Sequence, residues 1–235
     1  MEFSKESFLN APEGRVLEER IKSVLKRIER ACEECKRDPS GVKLLGASKG
    51  VPAGVLKLAA GLGLSLFGES RVQEFLPKFE ELRDSDVSWH FIGNLQSNKV
   101  RQIIGKVELI HSLDRVSLLE ELSQRASRAS ITQRALIEVN FTSNPKRGGV
   151  MPENLKDFVK TCLDFPNIEI VGLMCIAPLG ENPRPYFRTL RQLRDNLEQS
   201  LGIALRELSM GMSSDFEEAI KEGSSIVRIG SLLFN

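Results

Sequence analysis

A lysine that ends a short apolar run is the first residue of this chain whose position suggests chemistry. Residues Val42 to Lys49 read Val-Lys-Leu-Leu-Gly-Ala-Ser-Lys, which is the length of a β-strand rather than of a helix. A lysine at the carboxyl end of a strand is a candidate Schiff-base nucleophile, because loss of hydration favours the neutral amine that attacks a carbonyl carbon. The alternative is a solvated lysine whose ammonium simply reaches water.

Two segments near the other end of the chain combine small residues with hydroxyl groups. Ser209 to Asp215 precedes the amphipathic segment Phe216 to Ile220, and Ser214 to Glu217 has the spacing of a capping box. Arg228-Ile229-Gly230-Ser231 forms a second such turn. A turn of small residues that enters a helix presents backbone N–H groups and the positive end of a dipole, which suits a phosphate. Taken singly, each segment is weak evidence for a phosphate site, because most segments of this kind are simply a helix cap or a chain terminus.

The architecture that positions these residues follows from eight strand-length apolar runs. After Val42 to Lys49 they are Leu64 to Gly68, Trp89 to Gly93, Leu109 to Leu113, Ala135 to Phe141, Ile170 to Ala177, Leu205 to Met210 and Ser225 to Ile229. The gaps between the first seven runs hold a helical pattern or room for one, which predicts parallel strands with right-handed crossovers. We therefore expect an α/β protein, a single (β/α)8 TIM barrel over residues 1–235. An open doubly wound sheet is the alternative, but the first run is not followed by a G-x-G-x-x-G turn.

The ends of the helices are predicted from apolar stripes and from proline. An extra N-terminal helix over residues 15–36 carries one apolar stripe and should cover the side of the eighth strand, which lacks room for a full helix of its own. Residues 1–14 are expected to be a loose leader. Pro77 predicts that the helix after the second run begins near Leu76, with Arg71 to Phe75 as a separate turn.

Composition narrows the function classes. The net charge of +1 gives no field that would gather nucleic acid, and the arginines at 184, 188, 191 and 194 are expected to form a solvated outer face. No stretch has the roughly 20 apolar residues of a membrane span, and the amino terminus lacks the apolar core of a signal sequence. Four cysteines make no disulfide framework. We expect a cytoplasmic monomer that binds neither nucleic acid nor membrane.

A lysine and phosphate-binding turns on one rim of a barrel predict a phosphorylated aldehyde as the ligand. Sites in this fold lie at the carboxyl ends of the strands, often with phosphate between the loops after strands 7 and 8. Pyridoxal 5'-phosphate (PLP) meets that description, with its aldehyde on Lys49 and its phosphate between the two turns. Arg228 would then reach the pyridine nitrogen, where a permanent cation keeps that nitrogen unprotonated and makes the cofactor a poorer electron sink.

The chain resembles the pyridoxal phosphate homeostasis protein family, whose members look like the barrel domain of alanine racemase standing alone. The matching segments are Lys43 to Lys49, Phe67 to Glu69, Arg71 to Glu74, Trp89 to Gly93, Leu95 to Lys99, Gly172 to Met174, Ile176 to Pro178, Arg184 to Phe187, Leu208 to Ser213, Asp215 to Ile220 and Val227 to Gly230. The resemblance implies a cytoplasmic protein that carries PLP on Lys49 and helps to balance its supply, without an established catalytic activity. It implies phosphate contacts from Met212, Ser213, Gly230 and Ser231, and a ring-nitrogen contact from Arg228.

Three positions depart from the family pattern. Ser70 stands where asparagine is usual, Asn94 replaces a frequent histidine, and Gly50-Val51 replaces a polar pair after the lysine. These changes lie near the proposed cofactor, so they bear on its ring contacts and affinity.

Three functional classes are compatible with a lysine in this fold. A carrier that delivers PLP to apo-enzymes needs only the Schiff base and an open mouth. A racemase-like enzyme needs proton donors on both faces of the substrate carbon, and none of His90, His111 and Tyr186 is an obvious partner for Lys49. A Schiff-base aldolase would need a carboxylate near the lysine, for which Glu69 is the candidate from the strand ends, although Glu69 could equally hold a loop.

Overall fold

The computed structural model describes residues 12–142 and 147–235. Eight parallel strands form its centre: β1 (Lys43–Ala47), β2 (Leu66–Glu69), β3 (Ser88–Phe91), β4 (Leu109–Leu113), β5 (Gln133–Val139), β6 (Ile168–Cys175), β7 (Glu207–Ser209) and β8 (Ile226–Ile229). They pair in sequence order, and β8 closes the sheet onto β1 with Leu45 opposite Arg228. The predicted (β/α)8 barrel is therefore confirmed, and each strand lies within a few residues of its apolar run.

Helices alternate with the strands on the outside of the barrel. They are α1 (Pro12–Glu34), α2 (Ala53–Gly61), α3 (Val72–Glu81), α4 (Val100–Ile103), α5 (Val116–Arg128), α6 (Leu155–Leu163), α7 (Arg184–Leu201), α8 (Phe216–Lys221) and α9 (Ser231–Phe234). Single 3-10 turns cover Pro39–Gly41, Ser97–Lys99 and Pro152–Asn154. No helix of the described residues is both long and apolar enough to span a membrane.

The strands bury both of their faces, because side chains alternate between the helical ring and the barrel interior. The larger hydrophobic cluster fills the space between strands and helices. A smaller cluster from five strands fills the interior and consists of Leu45, Leu109, Leu136, Val171, Met174 and Ile226. Side chains two residues along a strand point to the same side, so the inward positions Leu136 and Ile226 also place Glu138 on β5 and Arg228 on β8 in the interior.

The N-terminal helix covers the side of the barrel where β8 has only the one-turn helix α9. Arg20 donates a hydrogen bond to the carbonyl of Leu233 at 3.5 Å, and Arg27 Nε binds Glu217 Oε1 at 2.7 Å on α8. The predicted covering role is confirmed. The helix begins at Pro12 rather than at residue 15, since proline is well accepted in the first helical turn. The predicted leader is therefore wrong for residues 12–14, and its remainder lies outside the described residues.

The prediction that α3 begins near Leu76 is wrong, because the helix begins at Val72 and contains Pro77. Proline removes one backbone hydrogen bond from a helix interior. Here Val72, Phe75 and Lys78 are all buried, and Phe75 packs edge-on against Trp89 with ring centroids 5.4 Å apart. Burial of this face offsets the lost hydrogen bond, so the helix continues through the proline.

Candidate functional site

The carboxyl ends of β1, β7 and β8 lie side by side at one rim of the barrel, because β8 pairs with both of the other strands. Lys49 follows β1 by two residues and is exposed at this rim. Its exposure differs from the loss of hydration that the sequence suggested, since the protein alone leaves the side chain in water. Any desolvation of Lys49 would have to come from a ligand in the mouth.

The backbone on either side of Lys49 is fixed by buried polar contacts. The Ser48 carbonyl accepts a hydrogen bond from Lys78 Nζ at 2.7 Å, and the Ser48 hydroxyl donates to Glu69 Oε2 at 3.0 Å. The Gly50 N–H donates to Glu74 Oε2 at 2.8 Å. These contacts anchor the residues before and after Lys49, so the lysine is presented on a rigid turn.

Glu69 belongs to this support and not to a catalytic pair with Lys49. Its carboxylate is fully buried, lies 2.5 Å from Lys78 Nζ and accepts the backbone N–H of Ser70 at 2.7 Å. The carboxylate therefore holds the loop after β2. This geometry removes the residue that the aldolase interpretation required.

The two turns proposed to hold phosphate are brought together. Met212 and Ser213 follow β7, Gly230 and Ser231 follow β8, and the Leu232 N–H lies 3.5 Å from Ser213 Oγ. A Cβ added at Gly230 would lie 3.5 Å from the Cβ of Ala47, so β1 approaches this turn closely. The residues predicted from the sequence to bind phosphate thus surround one small area of the rim.

The turn after β7 is shaped by glycine and by an aspartate. Gly211 has φ +94°, and a Cβ there would lie 2.6 Å from the Cβ of Ala219, so the turn packs directly on α8. The Met212 N–H donates to Asp215 Oδ1 at 2.6 Å. The predicted capping box from Ser214 to Glu217 is wrong: Asp215 precedes the helix, and Glu217 pairs with Arg27 instead.

Arg228 is buried inside the barrel just below this rim, with 6% of its surface exposed. Its Nη1 donates to the carbonyl of Ser209 at 2.8 Å and to Ser209 Oγ at 2.6 Å, and its Nη2 donates to the carbonyl of Cys175 at 2.9 Å. Burial lowers the pKa of the guanidinium from its ordinary value, yet arginine stays charged at any physiological pH. The interior therefore carries a fixed cation below the rim at which Lys49 and the two turns lie.

Sequence reasoning missed a half-buried carboxyl group on the opposite side of the mouth. Glu138 projects inward from the carboxyl-terminal part of β5, and burial together with the nearby Asp114 raises its pKa to about 7. Asp114 itself pairs with Arg115 at 2.7 Å and accepts the Gly149 N–H at 3.2 Å. The available signal was a glutamate at an inward position among the apolar residues Ala135 to Val139.

The positions that depart from the family pattern lie around the same mouth. Ser70 is partly exposed after β2, and its carbonyl oxygen would be only 2.1 Å from a Cβ added at Gly93. Asn94 Nδ2 would lie 3.2 Å from a Cβ added at Gly148. Gly50 has φ +71°, a conformation that favours glycine.

The predicted solvated face of α7 is an ion-pair cluster. Arg184, Arg188 and Arg191 all bind the nearly buried carboxylate of Glu222, at 2.7, 3.0 and 3.3 Å. Tyr186 lies on the same outer helix and its hydroxyl binds Glu181, so it does not reach the mouth.

A closed barrel with a lysine after its first strand and glycine turns after its last two defines a class of protein. The alanine racemase N-terminal domain model matches residues 20–235. Among solved structures, one described as an unknown protein from Bifidobacterium adolescentis superposes with a TM-score of 0.90 at 34% identity, covering 96% of this chain and 97% of the other. PipY of Synechococcus elongatus, solved with PLP bound, has a TM-score of 0.82 at 34% identity and covers 93% and 100%.

Proteins of similar sequence identify the family within this class. The pyridoxal phosphate homeostasis protein of Aquifex aeolicus is 54% identical over 219 residues, which cover 92% of this chain and 96% of the relative. The corresponding protein of Pseudomonas aeruginosa is 39% identical, covering 92% and 94%. The chain belongs to the pyridoxal phosphate homeostasis protein family.

Proposed function

We propose that this protein binds PLP as a Schiff base on Lys49 and acts in PLP homeostasis, holding the cofactor and delivering it to apo-enzymes in the cytoplasm. The observation that carries this proposal is the placement of Lys49, buried Arg228 and two adjoining small-residue turns at one rim. The name of the family and the PLP-bound relative support the choice of cofactor.

The residues fit the chemical groups of PLP. A phosphate matches the turns at Met212-Ser213 and Gly230-Ser231, where glycine leaves the backbone open and two hydroxyl groups can donate. Arg228 has three of its N–H groups on protein oxygens and is held in one orientation, so it offers a fixed cation to the ring nitrogen. The cofactor would supply an electrophilic carbon, and Lys49 would supply the amine that holds it.

A racemase-like enzyme is the second candidate, and Glu138 is the observation that favours it. Its raised pKa of about 7 suits a group that both takes and gives a proton near neutral pH. Catalysis on both faces of a carbon needs a second such group besides Lys49, and among residues 12–142 and 147–235 Glu138 is a candidate at the mouth with a pKa of about 7. The carrier function is preferred because the fixed cation at Arg228 disfavours the protonated ring on which strong electron withdrawal depends.

The test is an absorbance spectrum of purified protein with added PLP, before and after borohydride reduction, followed by mass mapping of the modified peptide. We expect a reducible band that maps to Lys49 and that disappears in Lys49→Ala, with weak phosphate-dependent binding remaining. Lys57→Ala, which removes an exposed lysine of α2, should behave as wild type. A reducible band that persists in Lys49→Ala would contradict the assignment, and no PLP binding by the wild type would refute the function.

A further inference from the structure

Four polar side chains form a continuous column inside the barrel, where apolar layers are the rule. Arg228 on β8 contacts Ser209 on β7, Ser209 Oγ lies 2.9 Å from His111 Nδ1 on β4, and His111 Nε2 lies 3.0 Å from His90 Nδ1 on β3. Each of the four residues is at most 6% exposed. Polar groups are retained in such a place only when they are hydrogen-bonded, because burial without a partner is costly.

The hydrogen bonds of this column have one direction. Arginine has no acceptor, so Arg228 must donate to Ser209 Oγ. If Ser209 then donates to His111 Nδ1, its single proton is satisfied, and His111 is neutral with its proton on Nε2. In the reverse arrangement the Ser209 hydroxyl would receive two protons and leave its own proton without an acceptor, at a cost of about 1–3 kcal/mol.

The direction set by Arg228 continues to the second histidine. His111 Nε2–H donates to His90 Nδ1, which places the proton of His90 on its Nε2 as well. The surroundings oppose any additional proton. Burial lowers the pKa of His90 to about 3, aided by Lys43 and Arg134 and opposed by Glu207. Burial, His90, Arg228 and Lys43 together hold the pKa of His111 well below its usual range.

With both histidines neutral, this column of hydrogen bonds fixes the orientation of the Arg228 guanidinium. Ser209 accepts its bond from Arg228 at 2.6 Å, the shortest of the three bonds to this guanidinium, and the acceptor at His111 Nδ1 holds the Ser209 hydroxyl in place by accepting its hydrogen bond. The other two bonds go to backbone carbonyls, of Ser209 at 2.8 Å and of Cys175 at 2.9 Å. The orientation of the cation at the mouth therefore depends on side chains that lie deeper in the barrel.

We propose that Ser209 and His111 are positioning residues for Arg228: the chain of hydrogen bonds from Arg228 through Ser209 and His111 to His90 holds the guanidinium in the orientation that meets the ring nitrogen of the cofactor. This inference rests on the proposed function for its last step, and on the hydrogen-bond geometry for all the others. It gives the two histidines a role that requires neither proton transfer nor contact with a ligand.

The first test needs no cofactor and uses the fact that the chain contains only two histidines. Nitrogen-15 NMR of histidine-labelled protein distinguishes the two neutral tautomers. We expect both rings to carry the proton on Nε2 and neither to titrate between pH 5 and pH 9. A proton on Nδ1 of His111, or titration of either ring in that range, would overturn the proposed chain.

The second test measures PLP affinity and the pH dependence of the bound spectrum in four variants. Ser209→Ala and His111→Leu interrupt the chain, so we expect about tenfold weaker binding and a spectrum that titrates between pH 5 and pH 9, where the wild-type spectrum is constant. His111→Asn keeps an acceptor at the Nδ1 position and should restore wild-type behaviour. Gln133 is buried, and Gln133→Leu removes its hydrogen bonds to the carbonyls of Val107 and Arg134 without reaching Arg228, so it serves as the matched control.

The outcomes separate a positioning role from a structural one. Thermal unfolding of the ligand-free variants identifies any loss of stability, which Gln133→Leu should share. If Ser209→Ala and His111→Leu bind PLP with wild-type affinity and a pH-independent spectrum, the positioning role is refuted. A wild-type protein that binds no PLP would refute the proposed function, and the NMR result would still decide the hydrogen-bond chain.

Discussion

Glu138→Gln should stabilise the ligand-free protein at neutral and alkaline pH and leave it unchanged in acid. The pKa of Glu138 rises from 4.5 to about 7 in the folded protein, chiefly through burial and then through Asp114. A raised carboxyl pKa contributes stability that is fully present below pH 4.5 and is lost as the pH rises through 7. At 1.36 kcal/mol per pKa unit, ionisation of Glu138 in the folded state costs about 3 kcal/mol above pH 7.

Glutamine has nearly the shape of glutamate but cannot ionise, so the variant avoids that cost. Urea unfolding of both proteins from pH 4.5 to pH 8.5 measures the difference in the free energy of unfolding. We expect the difference to grow with pH and to level off near pH 8. Glu120→Gln, at an exposed position of α5, is the control and should show no such growth. A constant difference for Glu138→Gln across the whole range would refute the reasoning.

Two further predictions concern the support of the site and the close pairing of β6 with β7. Lys78→Met should lower the free energy of unfolding by about 3–5 kcal/mol, because it leaves the Glu69 carboxylate buried without its cation. Chemical unfolding measures the difference, and a loss below about 1 kcal/mol would contradict the prediction. Gly172→Ala should prevent normal folding, because the added Cβ would lie 1.8 Å from the carbonyl oxygen of Glu207. The control is Gly54→Ala, whose Cβ would lie in open space on α2; it should raise the free energy of unfolding by about 0.5–1 kcal/mol. Circular dichroism and thermal unfolding distinguish these outcomes, and equal stabilities would show that the strand spacing is wrong.

The barrel could be predicted because its determinants are local. Each strand is a short apolar run and each long helix has an apolar stripe, so the alternation of the two appears in the sequence. The helix at Val72 could not be predicted in the same way. Its start depends on packing of Phe75 against Trp89, which lies on another element. Local sequence rules predict a helix boundary near Pro77, but burial of the helix face against other elements keeps the helix continuous.

The site was predictable where its residues lie at strand ends and not where it depends on register. Lys49 and the turns at Met212 and Gly230 follow strands directly, so topology alone brings them to one rim. The link between Ser209 and His111 requires knowing that inward positions on β7 and β4 have the same height in the barrel. The sequence shows only isolated polar residues within apolar runs, and it does not indicate which of them meet.

The pairing of β1 with β8 has a consequence for how the protein matures. Lys49 follows the first strand and Arg228 lies on the last, so the two come to the same end of the barrel only when β8 pairs with β1. Contacts between such distant parts of a chain form late, because the entropy of closing a long loop opposes them. A nascent chain therefore has no complete mouth until β8 has left the ribosome. Any ligand held jointly by both ends would bind only the closed barrel and would stabilise that form.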